Sequence, residues 1–191
     1  MAVIHSEGSC LRTEAARGFS LIELIVTIAV AAILTAIAFP SFTSTMRSKR
    51  VTTEANDLVT AISSARSEAV TRGRGISVCA ADTRTGAPSA CGAEADWSKG
   101  WIVFVDNGIG TTPPDDPLSA DEPILRSWVA ADQTTVTIDT GSNFVRFSSR
   151  GEINGQVNFT IKPSDGCNDQ QPRQITVNAS GQATSSHTDC S

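Results

Sequence analysis

The chain has no tyrosine, only two histidines among its 191 residues, and an aromatic content of 5%. An aromatic-rich binding surface is therefore excluded, and imidazole chemistry has few places to reside. Basic residues are short as well: 15 against 20 acidic ones leave a formal net charge of -5, the wrong sign for a generic nucleic-acid binder. The cysteines show no CxxC spacing, which counts against zinc modules, and no internal repeat or low-complexity tract occurs. What remains is ordinary in bulk. A 40% hydrophobic content in one domain's worth of chain can bury a core, and it describes neither a disordered tail nor a polytopic membrane protein. Five cysteines cannot all pair within one chain, so one is free or one is removed on maturation.

One segment departs from this average. Residues 19–42 form a run of about twenty nearly uninterrupted apolar residues, with Glu23 as its sole charge, and that is long enough to span a bilayer. A secretory signal peptide would place its apolar stretch ahead of a small-residue cleavage site, whereas here polar residues 1–18 end in Arg17-Gly18 directly before the run. A buried core helix would be shorter and would keep a polar face between Leu24 and Phe39. Arg12 and Arg17 on one flank balance Arg47, Lys49 and Arg50 on the other, so charge does not orient the span. Glu23 is the physically odd residue. A carboxylate inside a membrane helix costs about 2.5–3.5 kcal/mol and calls for a partner, and the segment contains none. Cleavage after Gly18 would create one, the new amine of Phe19.

Gly18-Phe19-Ser20-Leu21-Ile22-Glu23 resembles the processing site of type IV pilins and type II secretion pseudopilins. The resemblance implies that prepilin peptidase cuts after Gly18 and methylates the amine of Phe19. It also implies that Glu23 guides recognition by the assembly machinery and neutralises the amine of a neighbouring subunit. Pro40 matches a proline found at that depth in pilin helices, where a missing N–H and a ring clash kink or melt the helix. On this reading residues 1–18 are a cytoplasmic leader, 19–40 a transmembrane and filament-core helix, and 41–72 an amphipathic stem. Residues 73–191 are then a periplasmic head.

The stem shows apolar residues at Val51, Ala55, Leu58, Ile62, Ala65 and Ala69, alternating steps of four and three that lay one stripe along a helix. With no Gly or Pro between Ser41 and Arg72, one helix is expected from about Phe19 to Arg72, roughly 80 Å long at 1.5 Å per residue, ended by Gly73 and Gly75. The stripe predicts packing on the protein's own sheet. Arg47, Lys49 and Arg50 read as a solvated stem face. Residues 74–191 change to short β-like runs punctuated by turns: 76–80, 101–105, 124–129, 135–138, 144–147, 157–161 and 174–177. The expected fold is α+β, a long N-terminal transmembrane and stem helix packed on a C-terminal antiparallel sheet or sandwich. The blocks ARSEAV at 65–70, WSKGWIVFVD at 97–106, ILR at 124–126 and FVRFSSRG at 144–151 resemble the GspH/FimT group of minor pilins and pseudopilins.

Removing residues 1–18 removes Cys10 and leaves Cys79, Cys91, Cys167 and Cys190. In an oxidising periplasm the local pairs Cys79–Cys91 and Cys167–Cys190 are the most economical of three connectivities, each contributing about 2–4 kcal/mol. Residues 106–122 carry five acids and no base: Asp106, Asp115, Asp116, Asp121 and Glu122. Calcium is an alternative there, but Pro113-Pro114 and the residues at ligand positions break the EF-hand pattern, and no cofactor is expected. Catalysis has little to stand on: His187 is the sole imidazole after cleavage, in a polar tail without a serine nucleophile motif.

Some FimT-like relatives are DNA receptors. Here residues 19–72 have five basic and four acidic residues, while 73–191 have eight basic and fourteen acidic. That balance opposes phosphate attraction. The C-terminal loop that is arginine-rich in such relatives reads Ser180-Gly181-Gln182-Ala183, leaving Arg72 and Arg74, or Arg146, Arg150 and Arg173, as candidate DNA contacts. The leading expectation is a minor type IV pilin that primes assembly or sits at the pilus tip, serving twitching motility or adhesion. A minor pseudopilin of type II secretion and a DNA receptor are the alternatives. Its expected partners are prepilin peptidase, other minor and major pilins, and the inner-membrane assembly platform, with nucleic acid disfavoured.

Overall fold

A computed structural model describes residues 19–84, 86, 88–108, 122–167 and 171–190, with the backbone alone for 37–41. The leader, including Gly18, and the ring of Pro40 lie outside this set, as do Asp115, Asp116 and Asp121. The chain divides into two units, Met1–Phe42 and Thr43–Ser191.

The single long helix, α1 (Leu21–Arg72), supplies residues to both units. It begins two residues later than the apolar pattern because Ser20 caps it: the Ser20 Oγ accepts the Glu23 N–H at 3.2 Å and the Ser20 carbonyl accepts the Leu24 N–H. Ser20 and Glu23 stand at capping-box spacing. At the other end Gly73 adopts φ +62° and Arg74 N–H reaches back to the Ala69 carbonyl, a glycine-terminated helix end that satisfies an orphan acceptor.

In the second unit the stripe Val51, Ala55, Leu58, Ile62, Ala65 and Ala69 is fully buried, joined by Ala61. It packs against two four-stranded antiparallel sheets. The strands are β1 (Ile76–Ala80), β2 (Gly100–Val105), β3 (Ile124–Val129), β4 (Thr134–Ile138), β5 (Phe144–Phe147), β6 (Val157–Pro163), β7 (Arg173–Val177) and β8 (Ala183–His187). The first sheet runs β3-β2-β1-β5 and the second β4-β6-β7-β8. Strands β1 and β2 are buried on both faces, which explains their unbroken apolar reading. Ile76, Val78, Ala80, Trp101, Val103 and Val105 join the main core with α1 and the second sheet. The alternate residues Cys79, Ile102 and Phe104 form a smaller cluster with Cys91 on the opposite face. Trp97 meets Phe159 edge to face at 4.9 Å, tying the two sheets together.

Edges are covered where the fold can reach them. Ser98 Oγ accepts the Val136 N–H at 3.0 Å, so the short 3-10 turn Trp97–Lys99 caps the free side of β4. The region expected to be a polar tail forms β8 instead, in register with β7 from Val177↔Ala183 to Arg173↔His187. Its Ala-Thr-Ser-Ser-His composition has no apolar alternation because it is an exposed edge strand, held by ladder bonds more than by burial.

Candidate functional site

The N-terminal unit presents side chains with little cover. Phe19 is 83% exposed, and Leu21, Ile22, Leu24, Ile28, Ile33 and Leu34 are exposed around the helix. The threonines in this run satisfy themselves: Thr27 Oγ1 donates to the Leu24 carbonyl at 2.8 Å and Thr35 Oγ1 to the Ala31 carbonyl at 2.9 Å. Both hydroxyls are thus made compatible with an apolar surrounding. Glu23 is different. Its backbone is bonded to Ser20, but its carboxylate has no partner among the described residues. It sits in the first helical turn, one turn from Phe19, where the positive end of the helix dipole favours it. Among the described residues no helix is long and apolar enough to cross a membrane. The described side chains of the run stop at Ala36 and resume at Phe42, so the expected span 19–40 extends past them.

The candidate DNA contacts are dispersed: Arg72 ends α1, Arg74 follows it, Arg146 lies on β5, Arg150 in the turn after it, and Arg173 on β7. Arg146 on β5 is bound fork to fork by Asp106, with Nε to Oδ2 at 2.7 Å and the second contact at 2.9 Å, and its guanidinium stands over the Phe144 ring. Arg150 pairs with Glu152 at 3.0 Å. Arg72 pairs with Glu68, and Arg74 donates to Asn107 Oδ1 at 2.6 Å. Arg173 lies on β7 in the second sheet. Arg72, Arg146 and Arg150 are thus each neutralised by an acid, whereas Arg74 meets a neutral amide. Arg47 and Arg50 are not a purely solvated face either: Arg47 bridges to Asp165 at 2.9 Å, and Arg50 donates to Gln133.

Asp106 is equally committed. Its oxygens accept from Arg146, from the Ser77 hydroxyl, and from the Gly108 N–H at 2.7 Å, while Glu122 Oε1 accepts the Asn107 N–H at 3.0 Å. The two described acids of the 106–122 stretch thus serve the protein's own donors. Among the described residues no group of acids, cysteines and histidines is placed to hold a metal.

Cys79 and Cys91 are bonded at 2.05 Å, beside the Ala81↔Cys91 bridge, and cover the small cluster on the outer face of the first sheet. Cys167 is joined to Cys190, across 23 residues, where the chain leaves β8.

One buried acid escaped sequence reasoning. Glu54 is 2% exposed; its Oε2 accepts the Ala131 N–H at 2.8 Å, and its Oε1 has no partner among the described residues. Burial, opposed by the Ala131 bond and reinforced by nearby Asp57, pushes its carboxyl above the usual range. Asp57 is raised as well, by burial. The signal existed in the spacing: position 54 lies three after Val51 and four before Leu58, on the stripe itself.

Residues 54–181 match the family model described as type II transport protein GspH, and residues 15–39 match the prokaryotic N-terminal methylation motif. No curated protein matches the sequence. The fold is similar to crystal structures of the type IV minor pilin FimU from Pseudomonas aeruginosa strain PAO1. One crystal form gives a TM-score of 0.55 at 19% identity, over 74% of this chain and 95% of that one. A second gives 0.53 at 19% identity, over 73% and 98%. The minor pseudopilin EpsH from the type 2 secretion system of Vibrio cholerae gives 0.48 at 11% identity, over 72% and 97%.

Proposed function

Because the chain belongs to the family of the type II transport protein GspH, we propose that its work is structural: it is a minor pilin, processed after Gly18 and built into a type IV pilus at or near the tip. Residues 19–40 anchor it in the inner membrane with the head in the periplasm, and prepilin peptidase releases the Phe19 amine. Inner-membrane assembly machinery then draws the helix into a bundle with those of other minor and major pilins. The observation that carries this reading is the Glu23 carboxylate, without a partner among the described residues in an N-terminal run that is otherwise apolar or self-satisfied. Such a charge is tolerable in an apolar bundle only beside a cation, and the terminal amine of a neighbouring subunit is one. No chemistry of its own is required of the head.

The experiment is incorporation of Glu23→Val into sheared filaments in the native host. Cleavage after Gly18 is expected to continue, while incorporation drops about tenfold or more, the scale of losing one such pairing of a few kcal/mol. Normal incorporation would reject the mechanism. The family description keeps one second reading open, a minor pseudopilin of type II secretion; loss of protein secretion with intact piliation in a deletion strain would select it.

A further inference from the structure

Arg66 lies near the C-terminal end of the buried stretch of α1, yet its Nε is buried without a hydrogen-bond partner, and its guanidinium has no pairing among the described residues. Arg47, Arg72, Arg84, Arg146 and Arg150 each have an acidic partner, and Glu68, near Arg66 on the helix, is taken by Arg72. The side chain is also held in place. Gly151 and Gly181, both at φ +77°, let two turns close down on it: a Cβ at Gly151 would stand 3.0 Å from Arg66 Cγ, and one at Gly181 would stand 3.2 Å from Arg66 Cδ. Arg66 borders a groove of about 630 Å3 between α1 and the start of β8, with Ser63, Ser67, Thr71, Gln182 and Thr184 in its walls. No acidic side chain among the described residues lines it.

A fixed cation with unsatisfied donors, surrounded by hydroxyls and an amide, is a receptor for a planar anion, which Arg binds through two parallel hydrogen bonds. One guanidinium suits one carboxylate. A nucleic-acid strand would need several cations and would meet a head carrying fourteen acids against eight bases. A head of that composition has carboxylates to offer in return. We propose that the Arg66 groove is a carboxylate site that receives an acidic side chain from the head of a second copy of this chain. This rests on the filament reading above, and it adds a head-to-head contact to the helix bundle.

The site is tested on the mature full chain in detergent micelles, by following the Arg66 Nε–H signal in nitrogen-15 NMR at fixed ionic strength. Sodium acetate, inorganic phosphate and a short single-stranded oligonucleotide are the probes. Acetate is expected to shift the signal saturably at millimolar concentration, the order expected of one isolated charged contact. Gln182→Glu, which keeps the arginine and supplies a carboxylate inside the groove, is expected to weaken the response about tenfold. A response to the oligonucleotide or phosphate in preference to acetate overturns the carboxylate assignment, and no saturable response to any probe overturns the site. The neighbour is tested in cells with a photo-crosslinker at Ser67: subunit capture should fall about tenfold in Arg66→Gln and in Gln182→Glu, the scale of one lost contact. Unchanged capture overturns the inter-subunit contact. Retained incorporation of Glu23→Val would reject the filament reading while leaving the acetate result standing.

Discussion

Asp106, just past the end of β2, and Arg146, on β5, meet across the intervening β1 strand as a buried bidentate pair. The Asp106 side chain is 0% exposed and that of Arg146 is 11% exposed. Ser77, opposite Arg146 in the β1–β5 register, completes the arrangement by donating its hydroxyl to the same carboxylate. Removing one partner leaves a charge in the interior without compensation. Arg146→Met is expected to destabilise the head by about 3–5 kcal/mol, with Asp106→Leu/Arg146→Met losing less than the two single effects combined. Denaturant unfolding of the four proteins checks this, and additive losses would show that the pair is not coupled.

Glu54 makes stability depend on pH in the opposite sense to an ordinary ion-paired carboxylate. Its pKa is higher folded than unfolded, so its favourable contribution is complete in acid and is lost as pH rises through the raised value, when burial must accommodate the charge. Asp57 acts in the same direction. Wild type is therefore expected to gain stability relative to Glu54→Gln as the pH falls from neutral. Thermal melts of both proteins across that range measure the difference, and a constant gap would contradict it.

Two buried tryptophans differ in how their indole N–H is treated. Trp97 Nε1 donates to the Ser142 carbonyl at 3.0 Å, whereas Trp101 Nε1 has no partner among the described residues. Trp97→Phe strands an acceptor as well as losing volume; Trp101→Phe relieves an unsatisfied donor. Trp97→Phe is expected to cost about 1–2 kcal/mol more than Trp101→Phe in unfolding free energy. Equal costs would mean that volume alone decides both.

The Cys79–Cys91 bond closes a separation of 12 residues over the small cluster of Ile102 and Phe104. Cys79→Ser/Cys91→Ser is expected to lower stability by about 3 kcal/mol, the chain-entropy value for a loop of this size. Wild type under reducing conditions, which also open Cys167–Cys190, should melt no higher than the variant. The comparison fails if reduction leaves the wild-type transition unmoved.

Much of this architecture could be read locally. Val51, Ala55, Leu58 and Ile62 announce both a helix and its buried face, because a period of 3.6 residues turns spacing into direction. The strands at 76–80, 124–129 and 144–147 emerge where anticipated, since β-branched and aromatic residues between turn signals leave the backbone few alternatives. Other features were illegible for a physical reason. β8 carries no apolar pattern and exists because β7 offers it a ladder, so nothing in Ala183–His187 taken alone distinguishes strand from tail. Arg146 reads as a surface cation until Asp106, 40 residues away, is placed beside it.

The sequence by itself determined the helix, most of the strands and the apolar run with its lone Glu23, and made the local pairing of Cys79 with Cys91 the most economical of three, because each depends on neighbours along the chain. Only the tertiary structure decided which charges are spent and which are left. It neutralised Arg146, buried Glu54, split β1 and β2 between two clusters, and set Arg66 without a partner beneath Gly151 and Gly181. These are relations between residues far apart in the chain. They follow from how strands are ordered and how turns close on α1, and no local pattern of spacing or charge encodes that order.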